Sequence, residues 1–230
     1  MAPKLVLILA NGRWPKAGPS KNILNKANYI IAANGGWARA SEYHIPVDLV
    51  VGDLDSLSTD AADALVTSGI ETRAFPRIKD KTDLEIALDY ALTLEPEKVV
   101  ILGALGGRLD HTLANILLLE KVARTDVAIH IESGEESVFI VKERLSLDEV
   151  ERGDLVSLLP ISETVEGIQT KGLRFSLEHE SLARSSSRGV SNEVSSVPAQ
   201  IQIEKGFLLV IHRASHHPCT HSDPDGGLER

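Results

Sequence analysis

The chain has 230 residues, of which 43% are hydrophobic and 25% charged, as in ordinary globular proteins. Its formal net charge of −9 argues against a general nucleic-acid binder, which would carry a basic patch, so we expect no nucleic-acid partner. The only cysteine, Cys219, excludes an intrachain disulfide and argues against a thiolate metal site. The apolar run "LVLILA" (5–10) is too short for a signal peptide or a membrane span, so we expect a cytoplasmic protein with no membrane partner.

Short apolar runs and helical patterns alternate over the first 135 residues. Each run is dense in Val, Ile and Leu on successive positions, which is typical of strands covered on both faces. The runs are "KLVLILA" (4–10), "YIIAA" (29–33), "DLVVG" (48–52), "KVVILGA" (98–104) and "VAIHIES" (127–133). Amphipathic helices are predicted at "STDAADALVTSG" (58–69) and "KTDLEIALDYALTLEP" (81–96). Residues 1–135 are therefore predicted to form an α/β domain with a mainly parallel sheet, whose ligands bind beyond the carboxyl ends of the strands.

The pattern changes after residue 135. Several short alternating segments follow, separated by Gly or polar turns, which favours an all-β domain of sandwich or barrel-like form over residues 136–213. Residues 185–196 ("SSSRGVSNEVSS") are too polar for a core and are predicted to be a long loop. The tail 214–230 has no periodicity and is predicted to be disordered.

Two acidic motifs lie at successive sites, each beside a predicted strand end. In "GDLDS" (52–56) the side chains of Asp53 and Asp55 point the same way if the segment is extended, so both carboxylates can face one Mg²⁺ ion. A solvated loop in which Asp55 caps the next helix is the simpler alternative. In "KDKTDLE" (79–85) either Asp80 or Thr82 can cap a helix whose first turn holds Asp83. Capping does not explain why acids concentrate at two successive strand ends.

A glycine-rich turn follows the fourth run. "GALGGRLDHTLANILLLEKV" (103–122) leaves a strand, crosses Gly106 and Gly107, presents Arg108 and enters a helix near Asp110. Free backbone N–H groups and a guanidinium at such a turn suit phosphate oxygens, although no standard nucleotide motif is present. His111 is interpreted as a structural helix residue in preference to a base. Carboxylates for Mg²⁺ and a glycine–arginine turn for phosphates together favour phosphoryl transfer.

With these motifs in this order, the sequence resembles the thiamine pyrophosphokinase family. The motifs that carry the resemblance are "AANGG" (32–36), "GDLDS" (52–56), "DKTD" (80–83), "GALGGRLDHTLAN" (103–115) and "VSNE" (190–193). The resemblance covers roughly residues 4–213. It implies a nucleotide-binding catalytic domain over residues 1–135, a thiamine-binding β domain over residues 136–213, and a homodimer. It also implies transfer of a pyrophosphoryl group from ATP to the hydroxyethyl group of thiamine, with release of AMP.

The resemblance also implies roles for individual residues. Asp53, Asp55 and Asp83 would ligate Mg²⁺ and, with Arg108, form the catalytic set; the base that accepts the hydroxyl proton is either Asp83 or Asp55. Ser191 and Asn192 would meet the thiamine pyrimidine at the subunit interface. The residues implied around ATP are Asn34, Gly35, Gly36, Lys79, Asp80, Thr82, Gly106, Gly107, Arg108, Asp110 and His111.

One departure from the family pattern bears on activity. The family usually has aspartate before the paired glycines, and this chain has Asn34, so the site has one negative charge fewer. Leu54 replaces the usual aromatic residue and is expected to affect packing only. Two alternatives stand beside the thiamine kinase. One is a related pyrophosphokinase for another ring alcohol such as a pterin, which would differ in its acceptor pocket. The other, motivated by Asn34, is a homologue that binds nucleotide or thiamine diphosphate with weakened or no catalysis.

Overall fold

The structure, a computed structural model, describes residues 2–53, 65, 67–76, 80–134 and 136–215. Four sequence predictions lie outside the described residues: the roles of Asp55 and Lys79, the packing of Leu54, and the tail from residue 216 onward. The helix predicted at 58–69 is also largely outside them.

A parallel sheet occupies the first half of the chain. The five apolar runs form strands within their predicted bounds, and a further strand, β4, follows β3. The strands are β1 (Leu5–Leu9), β2 (Tyr29–Ala33), β3 (Leu49–Gly52), β4 (Glu71–Ala74), β5 (Lys98–Leu102) and β6 (Ala128–Glu132). They lie in the order β6-β5-β1-β2-β3-β4, with every neighbouring pair parallel. All five residues of β1 are buried because helices cover both faces of the sheet.

Four helices are described. They are α1 (Lys21–Lys26), α2 (Gly36–Glu42), α3 (Asp83–Thr93) and α4 (Leu109–Ala123). One face of the sheet packs on α3 and α4 through Val6, Ile8 and Leu88. The other face packs on α1 and α2 through Leu7, Trp37 and Ile23. Among the described residues, no helix is both long and apolar enough to cross a membrane.

The second half of the chain adds antiparallel strands in two layers. They are β7 (Glu136–Val141), β8 (Arg144–Leu147), β9 (Leu155–Pro160), β10 (Thr164–Lys171), β11 (Glu180–Ala183), β12 (Asn192–Glu193), β13 (Ala199–Gln202) and β14 (Leu208–Arg213). Strands β12-β9-β14-β7 extend the first sheet beyond β6, giving ten strands in all, and β11-β10-β13-β8 form a second sheet of four. Residues of both layers, among them Val156, Ile168 and Val210, share one core.

The predicted fold class is therefore confirmed: a mainly parallel α/β half is followed by a β sandwich. One layer of the sandwich is a continuation of the α/β sheet, because β7 turns back antiparallel to β6. The division predicted at residue 135 lies between the end of β6 and the start of β7 in the sequence and stays a prediction. The polar segment 185–196 is mostly turns and bends, interrupted by the two-residue strand β12.

Candidate active site

A cleft of about 750 Å³ opens at the carboxyl ends of β1, β2, β3 and β5. The connection after β1 runs through α1 on one face of the sheet, and the connection after the neighbouring strand β5 runs through α4 on the other. Such a reversal is where α/β sheets bind ligands. Residues from each of the predicted motifs of the first half line it. They include Asn34, Gly35, Asp53, Thr82, Asp83, Gly106, Gly107, Arg108 and His111. Gly36, Asp80 and Asp110 are not among the residues that line this cleft.

The side-chain amide of Asn34 lies between two carboxylates at the floor of the cleft. Its Nδ2 donates to Asp53 Oδ1 at 2.9 Å and to Asp83 Oδ2 at 3.0 Å. Three residues from separate parts of the chain therefore meet at one nitrogen atom. The sequence placed Asp53 just after a strand and Asp83 in the first turn of a helix, and the structure brings the two together.

The backbone around Asn34 fixes this arrangement. Asn34 has a positive φ of 45°, a conformation that Asn adopts more readily than most residues with a side chain. Its N–H donates to Val51 O at 2.7 Å, and its carbonyl accepts from the Trp37 N–H at 3.0 Å. A Cβ atom on Gly36 would lie 2.0 Å from Leu9 O, so only glycine lets α2 approach β1 this closely.

The carboxylates of Asp53 and Asp83 suit a divalent cation. One oxygen of each carboxylate faces the Asn34 Nδ2 atom. Two neighbouring negative charges repel each other, and a cation between them relieves that repulsion. Carboxylate oxygens are the ligands that Mg²⁺ takes, with water and phosphate oxygens completing its shell. Among the described residues, no group of three or more His, Cys, Asp and Glu side chains is placed to hold a metal ion. Asp53 and Asp83 therefore fit a Mg²⁺ ion, and Asp55, the third predicted ligand, lies outside the described residues.

Helix α3 begins beside this pair. Thr82 is its cap, because its Oγ1 accepts a hydrogen bond from the Glu85 N–H at 3.2 Å. Of the two caps considered from sequence, Thr82 is therefore the one observed, and Asp80 is exposed. Asp83 is the first helical residue, where a negative charge is stabilised by the helix dipole.

The glycine-rich turn before α4 is held from the helix. Asn115 is buried and donates from Nδ2 to Ala104 O at 2.8 Å, and Thr112 Oγ1 donates to Gly106 O at 3.3 Å. Gly106 and Gly107 have φ values of 89° and 74°, which residues with a Cβ atom rarely adopt. These contacts set the turn in a conformation that leaves the amino end of a helix facing the cleft.

Arg108 and Asp110 form an exposed ion pair at that helix start. The Arg108 Nε donates to Asp110 Oδ1 at 3.1 Å, and its terminal nitrogen donates to Oδ2 at 2.5 Å. These hydrogen bonds raise the pKa of the Arg108 guanidinium and lower the pKa of the Asp110 carboxyl. The fork that would bind phosphate oxygens is thus occupied by a carboxylate that offers the same geometry.

Asn11, Gly12 and Lys81 are among the cleft residues that the sequence prediction missed. Asn11 and Gly12 follow β1, so the rule that ligands bind beyond strand ends pointed at "ANG" (10–12) as much as at the later motifs. The Gly12 N–H donates to Gly103 O at 2.7 Å and ties this segment to the turn after β5. Lys81 donates to Asp89 Oδ2 at 2.7 Å.

Ser191 and Asn192 lie in the second half and are not among the residues that line the cleft. Asn192 is buried, and its side chain makes two hydrogen bonds with the backbone of Phe175. Asn192 Nδ2 donates to the Phe175 carbonyl at 2.7 Å, and the Phe175 N–H donates to Asn192 Oδ1 at 3.0 Å. Ser191 has a positive φ of 59°, and its N–H donates to Ser157 Oγ at 3.0 Å. Their contact with a substrate stays a prediction.

A second cleft, of about 740 Å³, lies near the amino ends of β1 and β5, where Lys4 and Lys98 line it. His130 also lines it, with Nε2 placed 2.8 Å from Glu132 Oε1, and this hydrogen bond lowers the pKa of the Glu132 carboxyl. The amino ends of parallel strands are not where such sheets bind ligands. None of the motif residues lines this second cleft, so we assign the chemistry to the first.

Known proteins resemble the chain along most of its length. The family model for the "Thiamin pyrophosphokinase, catalytic domain" matches residues 20–131, and that for the "Thiamin pyrophosphokinase, vitamin B1 binding domain" matches residues 142–208. Thiamine pyrophosphokinase of Bacillus subtilis (strain 168) is 29% identical over 168 residues, which is 73% of this chain and 78% of that protein. Thiamine pyrophosphokinase 1 of Oryza sativa subsp. japonica is 24% identical, covering 89% of this chain and 86% of that protein.

Two crystal structures share the fold. Thiamine pyrophosphokinase from Bacillus subtilis superposes with a TM-score of 0.81 at 24% identity, covering 92% of this chain and 99% of that one. The enzyme from Geobacillus thermodenitrificans has a TM-score of 0.79 at 26% identity, covering 93% and 99%. With both family models matched in order and the cleft lined by residues of the catalytic one, the chain belongs to the thiamine pyrophosphokinase family.

Proposed function

We propose that this chain transfers the pyrophosphoryl group of ATP to thiamine, giving thiamine diphosphate and AMP. The thiamine hydroxyl oxygen attacks the β-phosphorus, the bond from that phosphorus to the oxygen bridging it to the α-phosphate breaks, and AMP leaves with that oxygen. The hydroxyl proton passes to a carboxylate. The observation that carries the proposal is the meeting of Asp53 and Asp83 in one cleft with the turn that presents Arg108.

Asp53 and Asp83 would hold Mg²⁺, and Asp55 is predicted to join them. Bound there, the ion would neutralise charge on the phosphate oxygens and orient them. The protein's own contribution is to hold two acidic oxygens close together before any ligand arrives.

Arg108 and the turn of Gly106 and Gly107 would hold the phosphates. The guanidinium spreads the charge that develops on the transferred group, and backbone N–H groups at the start of α4 favour anions. Lys79, Asp80 and Asp110 stay predicted neighbours of the nucleotide. Either Asp83 or Asp55 would accept the hydroxyl proton, as the sequence predicted, and of the two only Asp83 is described.

Thiamine would be held by the second half of another copy of the chain. The residues predicted to meet it, Ser191 and Asn192, are not among those lining the cleft, and the matched vitamin B1 binding model spans their segment. A homodimer in which each cleft faces the Ser191 region of its partner would complete both sites. The cytoplasmic location and the lack of a nucleic-acid partner stay predictions.

The test is simultaneous measurement of AMP and thiamine diphosphate, with Mg²⁺, in the presence and absence of thiamine. Equal amounts of both products, formed only with thiamine, are expected from the wild type. Asp53→Ala is expected to lose activity on the order of a hundredfold or more. Asp126→Asn removes a carboxylate whose side chain is fully exposed, and this matched control should retain activity.

The two alternatives give different results in the same assay. A pterin-type pyrophosphokinase would release AMP with a hydroxymethyl pterin and not with thiamine. A binding protein would be stabilised thermally by ATP or thiamine diphosphate while forming no AMP. The observation that favours this last alternative is Asn34, which gives the site one carboxylate fewer than the family pattern.

A further inference from the structure

The Asn34 amide occupies the place where a cation would bridge Asp53 and Asp83. Carboxylate oxygens only accept hydrogen bonds, so the amide must turn its nitrogen and not its oxygen toward them. The distances from Nδ2 to the two oxygens, 2.9 and 3.0 Å, use both N–H donors of the amide. The two negative charges are thus held together by a neutral side chain.

This orientation is incompatible with a metal ion bound between the same two oxygens. Mg²⁺ lies about 2.1 Å from its oxygen ligands, so it would stand against the positive ends of both N–H bonds. The Asn34 backbone cannot withdraw, because its N–H and C=O are both bonded, to Val51 and Trp37. Metal entry therefore requires that the side chain rotate and give up its two carboxylate contacts.

We propose that Asn34 is a built-in competitor of the metal ion: its amide closes the metal-free site and must be displaced before a divalent cation bridges Asp53 and Asp83. This inference rests on the metal site of the proposed function. Free cations then bind weakly, and a cation already carried by nucleotide phosphates has the advantage, since phosphate oxygens add ligands beyond Asp53 and Asp83.

Mn²⁺ binding without nucleotide tests the inference, measured by titration calorimetry on wild type and Asn34→Gly. Glycine adopts the positive φ of residue 34 without strain, so this variant removes the amide and keeps the backbone. We expect Asn34→Gly to bind Mn²⁺ about threefold to tenfold more tightly than wild type, the size of one net hydrogen bond. We also expect its melting temperature without metal to fall by about 2–4 °C, since the carboxylates repel. Equal or weaker Mn²⁺ binding by Asn34→Gly would make Asn34 a bystander or a ligand and would overturn the inference.

A measurement on the wild type covers the case in which the glycine variant does not fold. The side-chain NH₂ signals of Asn34 in a ¹⁵N-labelled protein should be protected from solvent exchange without metal and should shift and lose protection when Mg²⁺ is added. Signals that do not respond to saturating Mg²⁺ would overturn the inference.

Failure of the inference and failure of the proposed function are distinguishable. Asp53→Ala should abolish Mn²⁺ binding at this site in either case. If it leaves Mn²⁺ binding unchanged, the metal site itself is wrongly assigned. If it abolishes binding and turnover while Asn34→Gly binds more weakly than wild type, only the competitor role is wrong.

Discussion

The side-chain amide of Asn192 forms hydrogen bonds with both the N–H and the C=O group of Phe175. Its Nδ2 donates to the Phe175 carbonyl at 2.7 Å, and its Oδ1 accepts from the Phe175 N–H at 3.0 Å. Asn192 is 7% exposed whereas Phe175 is 63% exposed, so a buried polar group fixes an aromatic ring that faces outward. Arg174 adds to this fixation, because it bonds Glu193 Oε2 at 2.8 Å and lies over the Phe175 ring.

We expect Asn192→Ala to weaken thiamine binding selectively. Loss of both hydrogen bonds leaves the Phe175 N–H and C=O without this partner and frees the segment beside Ser191. The thiamine KM should rise about tenfold, the ATP KM should change less than about twofold, and the free energy of unfolding should fall by about 1–3 kcal/mol. Steady-state kinetics with each substrate varied, and urea unfolding, check these effects.

Asn115→Ala is the matched control for that variant. Asn115 is also a buried amide that bonds a backbone carbonyl, but it holds the turn that carries Arg108. We expect the reverse selectivity, a raised ATP KM with the thiamine KM nearly unchanged. If both variants raised both KM values equally, the two amides would act only through general stability.

Arg108 should matter for the phosphates, and Asp110 should oppose it. Arg108→Ala removes the guanidinium that would bind the phosphates at the start of α4. It is expected to lower kcat/KM for ATP on the order of a hundredfold or more. The Arg108 guanidinium must break its ion pair with Asp110 before it can bind phosphate, so Asp110→Asn should lower the ATP KM. The decrease should be at most about fivefold, because exposed ion pairs are weak.

Salt separates these two effects. Raised ionic strength weakens the exposed Arg108 and Asp110 pair, so the difference between wild type and Asp110→Asn should shrink as salt is added. An Asp110→Asn enzyme with a strongly raised ATP KM at all salt concentrations would instead make Asp110 a direct contact of the nucleotide, as the sequence predicted.

The strands were predictable because their signal is local. Runs of Val, Ile and Leu gave β1, β2, β3, β5 and β6 within their bounds, whereas β4 has four exposed residues and no apolar pattern. The extension of the parallel sheet by β7 was not predictable, because amino-acid composition does not indicate which strand of the second half pairs with β6.

The site was predictable as a neighbourhood and not as a set of contacts. The motifs indicated that Asp53 and Asp83 share one site, but they could not reveal that Asn34 bonds both. The contact between Asn192 and Phe175 joins residues that are 17 positions apart in the sequence. Sequence motifs therefore indicate which residues belong to one site, and the tertiary structure determines which of their atoms form hydrogen bonds.

A stripe of exposed leucines on α4 should lie between two copies of the chain. Leu109, Leu113 and Leu117 are 71%, 52% and 56% exposed and stand four residues apart, so they share one helix face. The helix begins at the cleft beside Arg108, so a second copy that covers the stripe would lie next to that cleft. Exposed apolar patches of this kind commonly mark interfaces.

We expect Leu113→Glu to shift the protein from dimer to monomer in sedimentation velocity and to raise the thiamine KM in parallel. Gln200→Glu adds the same charge to an exposed strand position away from α4 and should leave both quantities unchanged. A Leu113→Glu protein that stays dimeric with normal kinetics would place the interface elsewhere.

Asp154 should make the second half of the chain sensitive to acid. Its side chain is 4% exposed, and burial alone would raise its pKa. Hydrogen bonds from the Glu151 N–H, from His212 and from the Ser215 N–H outweigh burial and lower the pKa from 3.8 to about 2. Since the folded pKa lies below the unfolded one, this carboxylate stabilises the fold above about pH 4, and the stabilisation is lost as the pH falls toward 2.

Asp154→Asn should therefore lower the free energy of unfolding by about 2 kcal/mol at neutral pH, as the size of the pKa shift implies. The gap to wild type should narrow between pH 4 and pH 2, because wild-type Asp154 becomes protonated there while asparagine does not titrate. Urea unfolding at pH 7, 5, 4 and 3 measures the gap, with Asp126→Asn as the exposed control. A gap that stays constant down to pH 3 would mean that the shape of the side chain, and not its charge, stabilises the contacts with His212 and Ser215.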